Sequence, residues 1–293
     1  MLGIVDVGGG MRGSFTAGIY DYIADQGVQP FDYCLGVSAG SANLVSYLSG
    51  QRGRNYRFYT QYAYRERYMS VRNLMKTGSY VDLDYIYTVL SGPHGEDPVD
   101  LEAFAAQADR YQAVVTDAAT GKPVYYSGSR MIHGDFDPIK ASCAVPGACK
   151  PYPVDGKPGF DGGVADPVPY QHALEQGCDR LVVLLTRPAD YNRPPLGHQA
   201  AMSRILRRWP NTYAALKRRF VRYNRDVAAV KEMQARGTAL LIAPSDIAGM
   251  DTLTRDKAAV ERLYRMGYRA GERVLAFAQR KPAETAAETA LDP

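Results

Sequence analysis

The pentapeptide Gly36-Val37-Ser38-Ala39-Gly40 constrains this chain more than any other stretch. A short, largely apolar run, Phe31 to Leu35, leads into it, and a helix-like run to Leu48 follows. Strand, tight turn and helix in that order are the setting in which G-x-S-x-G lifts a serine hydroxyl onto a strained corner, the nucleophile elbow. The small neighbours are a steric requirement, since bulky side chains at Gly36 or Gly40 would strike the adjoining strand and helix. Small residues recur in many loops, so context has to decide.

Two further stretches supply that context. Leu2-Gly3-Ile4-Val5-Asp6-Val7 reads as a buried strand running into Gly8-Gly9-Gly10-Met11-Arg12-Gly13, and Phe160-Asp161-Gly162-Gly163 comes much later. A glycine-rich turn ahead of a helix presents unpaired backbone N–H groups, the donors that stabilise a developing oxyanion. An aspartate in an Asp-Gly-Gly turn can approach another turn closely. Together these stretches offer a nucleophile, an anion cradle and a carboxylate base.

The three stretches resemble the signature of the patatin-like phospholipase family of acyl hydrolases, in its bacterial form. That signature has a G-G-G-x-[RK]-G oxyanion loop, matched by Gly8, Gly9, Gly10, Met11, Arg12 and Gly13. It continues with G-x-S-x-G, matched at Ser38, and a later D-G-[GA], matched by Asp161, Gly162 and Gly163. Lys140 to Pro146 (KASCAVP) is a softer match to the small-residue helix and proline ahead of the family's aspartate loop. The resemblance spans roughly residues 1–190 and implies a Ser38–Asp161 dyad that works without histidine. It also implies lipid esters as substrates: phospholipids, lysophospholipids or related acyl esters. The N–H groups of Gly9, Gly10 and Ala39 are the expected oxyanion donors, and Arg12 is expected to brace the loop or meet a phosphate headgroup. No cofactor and no metal is called for.

Strand-like segments (Gly3–Val7, Tyr33–Gly36, Ala113–Thr116, Val124–Tyr126, Leu181–Leu185, Ala239–Ile242) alternate with amphipathic ones. This alternation predicts an α/β fold with a largely parallel sheet and helices on both faces. We expect a catalytic α/β domain over 1–190, a basic, mainly helical part over 191–281 and a disordered tail over 282–293. No apolar run approaches the roughly 18 residues that span a bilayer, and the chain opens directly into a strand without a basic leader. Cys34, Cys143, Cys149 and Cys178 show no C-x-x-C spacing and read as free thiols of a cytoplasmic protein.

Two local biases carry open alternatives. Eight tyrosines (Tyr56, Tyr59, Tyr62, Tyr64, Tyr68, Tyr80, Tyr85, Tyr87) are interleaved with Arg52, Arg54, Arg57, Arg65, Arg67, Arg72 and Lys76. They suit either a lipid–water interface or a helical cap packed over the site. From Arg187 to Gly237, twelve Lys or Arg face only Asp190, Asp226 and Glu232, against a net charge of +4 for the chain. That stretch fits peripheral contact with an anionic membrane or a solvated helix surface; no nucleic-acid module accompanies it.

Three rival functions remain on sequence grounds. Gly8, Gly10 and Gly13 also satisfy the dinucleotide fingerprint G-x-G-x-x-G, with Asp32 where a ribose-binding acid would stand. A Ser-Asp-His triad is formally available with His172 or His198; His94 and His133 complete the set of histidines. A catalytically silent lipid-binding protein would carry the same fold.

Overall fold

The computed structural model describes residues 1–247 and 249–280, so the expected disordered tail lies outside the described residues. The strands, in chain order, are β1 (Leu2–Asp6), β2 (Tyr33–Val37), β3 (Tyr111–Asp117), β4 (Pro123–Ser127), β5 (Tyr152–Val154), β6 (Lys157–Asp161), β7 (Arg180–Leu184) and β8 (Ala239–Ile242). All eight join one sheet. Five of them, ordered β8-β7-β1-β2-β3, pair in parallel, whereas β4 and β6 each pair antiparallel with β3 on opposite edges, and β5 pairs antiparallel with β6.

The parallel centre follows from composition. β1 and β2 are buried along their whole length, as strands covered on both faces must be. Alternate residues feed two separate cores. Ile4, Cys34, Ala113 and Val182 face one side. There they meet α1 (Ser14–Asp25) and α2 (Ala39–Leu48). Val5, Leu35, Val114 and Val183 face the other.

Between α2 and β3 the chain makes α3 (Arg54–Thr60), α4 (Val71–Thr77), a π-helical turn at Tyr85–Leu90, and α5 (Leu101–Ala105). After β4 come α6 (Asp137–Ser142) and α7 (Tyr170–Glu175), then α8 (Gln199–Ile205), α9 (Pro210–Ala235) and α10 (Lys257–Gln279). Tyr223, Val227 and Val230 of α9 cover the second face, and Val260 and Leu263 of α10 pack with α1 on the first. The C-terminal third is thus woven into the sheet through β8 and into both cores.

None of the eight tyrosines between 56 and 87 is exposed. Their rings turn inward, which favours the packed-cap arrangement over a belt of tyrosines at headgroup depth. Several of the interleaved arginines are ion-paired, among them Arg57 with Asp97 at 3.0 Å, Arg65 with Glu96 at 2.6 Å and Arg52 with Asp25 at 2.9 Å. The basic stretch splits: Arg187, Arg193, Arg219 and Arg222 are half-buried, and its other eight cations are exposed.

Candidate active site

β3 sets the geometry of the site. Its register places Val37 opposite Val114 and Asp161 opposite Val115. β4 occupies one edge of β3 over residues 112–116, so β2 and β6 must follow each other along the opposite edge. Ser38, directly after Val37, therefore arrives beside Asp161.

Ser38 takes φ 53° and ψ −131°, a conformation that costs a non-glycine residue about 1–3 kcal/mol. Neighbours hold it there. Its N–H donates to Ser142 Oγ at 2.9 Å, and its carbonyl accepts from Ser41 Oγ at 2.6 Å. A β-carbon on Gly40 would lie 2.6 Å from the Asp6 carboxylate, so only glycine lets the elbow seat against β1.

Asp161 ends β6 and caps the short turn that follows, its Oδ1 accepting the Gly163 N–H at 2.8 Å. The turn expected from Asp-Gly-Gly is present, and the strand β6 leads into it. The Asp161 carboxylate and Ser38 line the same cavity. Burial raises its pKa above the ordinary 3.8, while the Arg219 cation, the Ser38 hydroxyl and the Gly163 N–H pull the other way. A buried aspartate is a better proton acceptor than a solvated one.

Gly8, Gly9 and Gly10 carry φ of 63°, 139° and 57°, a run that side chains would not tolerate. Several of the loop's donors are committed. Gly8 N–H bonds Asp6 Oδ1 at 2.9 Å, Met11 N–H bonds the Thr252 carbonyl at 2.9 Å, and Arg12 N–H bonds the Gly9 carbonyl at 3.3 Å. Among the described residues, the N–H groups of Gly9, Gly10 and Ala39 meet no acceptor. Gly13 backs the loop, its carbonyl accepting from Asn43 Nδ2 at 2.9 Å. Arg12 is buried and tied to Asp251 at 3.3 Å, a bracing position. Asp6, also buried, is pushed up to about 6 by desolvation.

Ser38 stands between two cavities. One, about 810 Å³ including its mouth, is lined by Phe58, Tyr59, Tyr68, Val81, Ile86 and Tyr87, with Arg54, Ser91 and Asp97 as a polar wall. The other, about 1040 Å³ including its mouth, holds Asp161, Gly8, Gly9 and the guanidinium groups of Arg12, Arg187, Arg193 and Arg219. None of the four histidines lines either space. His172 instead stacks on Tyr125, ring centroids 3.4 Å apart, and pairs with Gln112 Oε1 at 2.8 Å. Asp32 precedes β2 and accepts the Leu2 N–H at 2.8 Å. It sits at the opposite end of the sheet from Gly8–Gly13, so the dinucleotide fingerprint lacks its ribose-binding acid.

A family model described as patatin-like phospholipase matches residues 7–174, more than half of the chain. The chain belongs to the patatin-like phospholipase family. A second model, a domain of unknown function (DUF6363), matches residues 209–279. The chain is similar to the uncharacterized protein YjjU of Escherichia coli K12, with 28% identity over 198 residues, 66% of this chain and 54% of that one. It is also similar to the uncharacterized NTE family protein Rv1063c of Mycobacterium tuberculosis, with 43% identity over 60 residues, 20% of this chain and 15% of that one. It thus spans about half the length of the first relative and a small part of the second. Among solved structures, VipD from Legionella pneumophila aligns with a TM-score of 0.44 at 14% identity, covering 94% of this chain and 66% of that one.

Gly8, Gly9, Gly10, Arg12 and Asp161 line the cavities that meet at Ser38, and further neighbours lie in the softer match around Ser142 or outside any motif. Ser142 holds the elbow. Thr186 donates its hydroxyl to the Gly8 carbonyl, and Thr252 closes over Met11. Arg187, Arg193 and Arg219 come from the basic stretch. One signal for Arg219 was present: it falls on the α9 stripe Leu216, Tyr223, Val227, Val230, at a position where helical spacing calls for an apolar residue.

Proposed function

We propose that this chain hydrolyses lipid acyl esters through Ser38 and Asp161. The observation that carries the reading is that Ser38, on its strained corner, and the buried Asp161 carboxylate line one cavity, at the junction with an apolar cavity and a glycine loop with free N–H groups. Ser38 Oγ attacks the ester carbonyl carbon while Asp161 takes its proton. The resulting oxyanion is received by the N–H groups of Gly9, Gly10 and Ala39, each worth about 3–4 kcal/mol in the transition state. Collapse expels the alcohol, which leaves with the proton from Asp161, and Ser38 remains acylated. Water, deprotonated by Asp161, then attacks the acyl-serine; the fatty acid departs and Ser38 recovers its proton.

The apolar, tyrosine-lined cavity takes the acyl chain. Peripheral contact with an anionic membrane belongs to the same proposal, and the exposed Val71, Leu74 and Met75 of α4, beside Arg72 and Lys76, support it. Among the described residues, no helix is long and apolar enough to cross a membrane.

A fluorophosphonate ester, followed by mass spectrometry of the digested protein, tests the chemistry. Covalent modification at Ser38, lost in Ser38→Ala, is the expected result. An unlabelled but folded chain would overturn the nucleophile assignment, and labelling without turnover of any acyl ester would make the chain a silent lipid binder.

A further inference from the structure

The cavity on the Asp161 side carries a charge pattern that cleaving an ester does not require. Four guanidinium groups, those of Arg12, Arg187, Arg193 and Arg219, face the same space as two carboxylates, Asp161 and Asp251. Arg12 and Arg187 share Asp251, at 3.3 and 3.4 Å. Among the described residues, Arg193 and Arg219 have no carboxylate within 4.0 Å. The Nε atoms of all four are buried without an acceptor. Buried donors left unpaired are costly, and like charges held together add repulsion. A fold that gathers them has left room for an anion.

The arginines are also held in place. Arg193 lies over the rings of Tyr223 at 4.8 Å and Tyr191 at 6.0 Å, and Arg187 lies over Tyr191 at 4.5 Å. Asn224 pins the Arg193 backbone by a reciprocal pair of hydrogen bonds, 2.8 and 3.0 Å. Arg219 is fixed by the buried stripe of α9, with Nη2 beside Gly163 and hence beside the aspartate turn. Planar, preoriented guanidinium groups with unpaired N–H donors match phosphate or carboxylate oxygens in bidentate fashion.

We propose that Arg12, Arg187, Arg193 and Arg219 form the subsite for the alcohol half of the substrate, an alcohol bearing a phosphate or similarly compact anion, and that the segment from Arg187 through α9 exists in part to build it. This rests on the hydrolase reading above and narrows it. With the acyl chain in the tyrosine-lined cavity, the ester bond lies at Ser38 and the alcohol must extend toward the arginines. Four cations against two carboxylates leave two positive charges, which a phosphate group offsets and an uncharged glyceride does not. The matched domain of unknown function, residues 209–279, thereby gains a role, since it contributes Arg219 and Tyr223 to the site.

The test compares two water-soluble esters that differ only in the anion, octanoyl glycerol and octanoyl glycerol phosphate. It uses the full chain and its Arg193→Gln and Arg187→Gln variants, each checked for an unchanged near-UV circular dichroism spectrum. The wild-type kcat/KM should favour the phosphate ester by about tenfold or more, and each variant should collapse that ratio by a similar factor. In parallel, calorimetry with the Ser38→Ala protein should show glycerol 3-phosphate binding that weakens about tenfold when Arg193→Gln is added. A wild-type enzyme without preference, or a preference that survives in both folded variants, would overturn the subsite. Binding of inorganic phosphate that depends on Arg193 while the substrate ratio stays fixed would also overturn it, since the site would then serve free anion only. If neither ester is hydrolysed but glycerol 3-phosphate binding still depends on Arg193, the hydrolase reading falls while the anion site stands.

Discussion

The two cavities that meet at Ser38 are built on opposite principles. The one under the 54–97 segment is walled by aromatic and aliphatic side chains. On the proposed reading its apolar wall discriminates acyl chains by shape and length, at about 0.8 kcal/mol for each buried methylene. The one beside Asp161 is walled by guanidinium groups with unpaired donors and discriminates by the presence of charge. A length filter is shallow and permissive; a charge filter is steep. On the proposed reading, a site with one of each would accept a range of acyl chains on a narrow class of alcohols.

The sharpest way to break this comparison is to remove the base that serves the serine standing between the two cavities. Asp161→Asn should lower turnover of any acyl ester by about a thousandfold or more, as loss of a general base does. His172→Ala should keep that turnover and lose only about 1 kcal/mol of stability, from its stacking on Tyr125 and its bond to Gln112. A dead His172→Ala beside an active Asp161→Asn would replace the dyad with a triad.

A smaller effect isolates the apolar side. Val81→Phe puts a ring into the tyrosine-lined cavity at a buried position. The ratio of long-chain to short-chain ester hydrolysis should fall about tenfold, with overpacking costing about 1–3 kcal/mol of stability. Chain-length profiles on one alcohol measure it. An unchanged profile would remove that cavity from the acyl path.

The smallest effect couples the charged side to the chemistry. Asp161 must be ionised to accept a proton, so activity falls on the acid side as it protonates, at a pH above the ordinary aspartate value of 3.8. Arg219 opposes the upward pull of burial on that group. Arg219→Gln removes the opposing charge, raises the Asp161 pKa further and moves the acid limb of kcat/KM to higher pH, while Arg219→Lys leaves it near its original place. An octanoyl ester of an uncharged alcohol is the right reporter, and a limb that does not move in Arg219→Gln would mean that Arg219 does not act on Asp161.

Much of the fold was legible in the residues. The continuous apolar runs of β1, β2 and β7 announce a covered parallel sheet, and the G-x-S-x-G between a strand and a helix places Ser38 at the corner where it is found. β5 and β6 were not legible. Both are short, β6 is interrupted by Pro158 and Gly159, and nothing in their pattern separates them from loop. The tyrosines between 56 and 87 were ambiguous for a different reason. The same rings suit a membrane surface or a packed interior, and local pattern does not say which way a short helix faces. Asp32 stood at the spacing of a ribose-binding acid, yet spacing counts residues and not the ends of a sheet.

Sequence by itself determined the reactive groups: a serine on a strained corner, a glycine run free to take positive φ, and an aspartate ahead of two glycines. These depend on local sterics, which a few consecutive residues specify. Tertiary structure alone decided what surrounds them. β3 aligns Val114 with Val37 and Val115 with Asp161, and so makes neighbours of two distant turns. The packing of α9 turns Arg219 out of a basic stretch that read as membrane contact or solvated helix surface and into the space beside that pair. Strand register and the direction a helix faces are set by long-range packing, which no short segment of chain encodes alone.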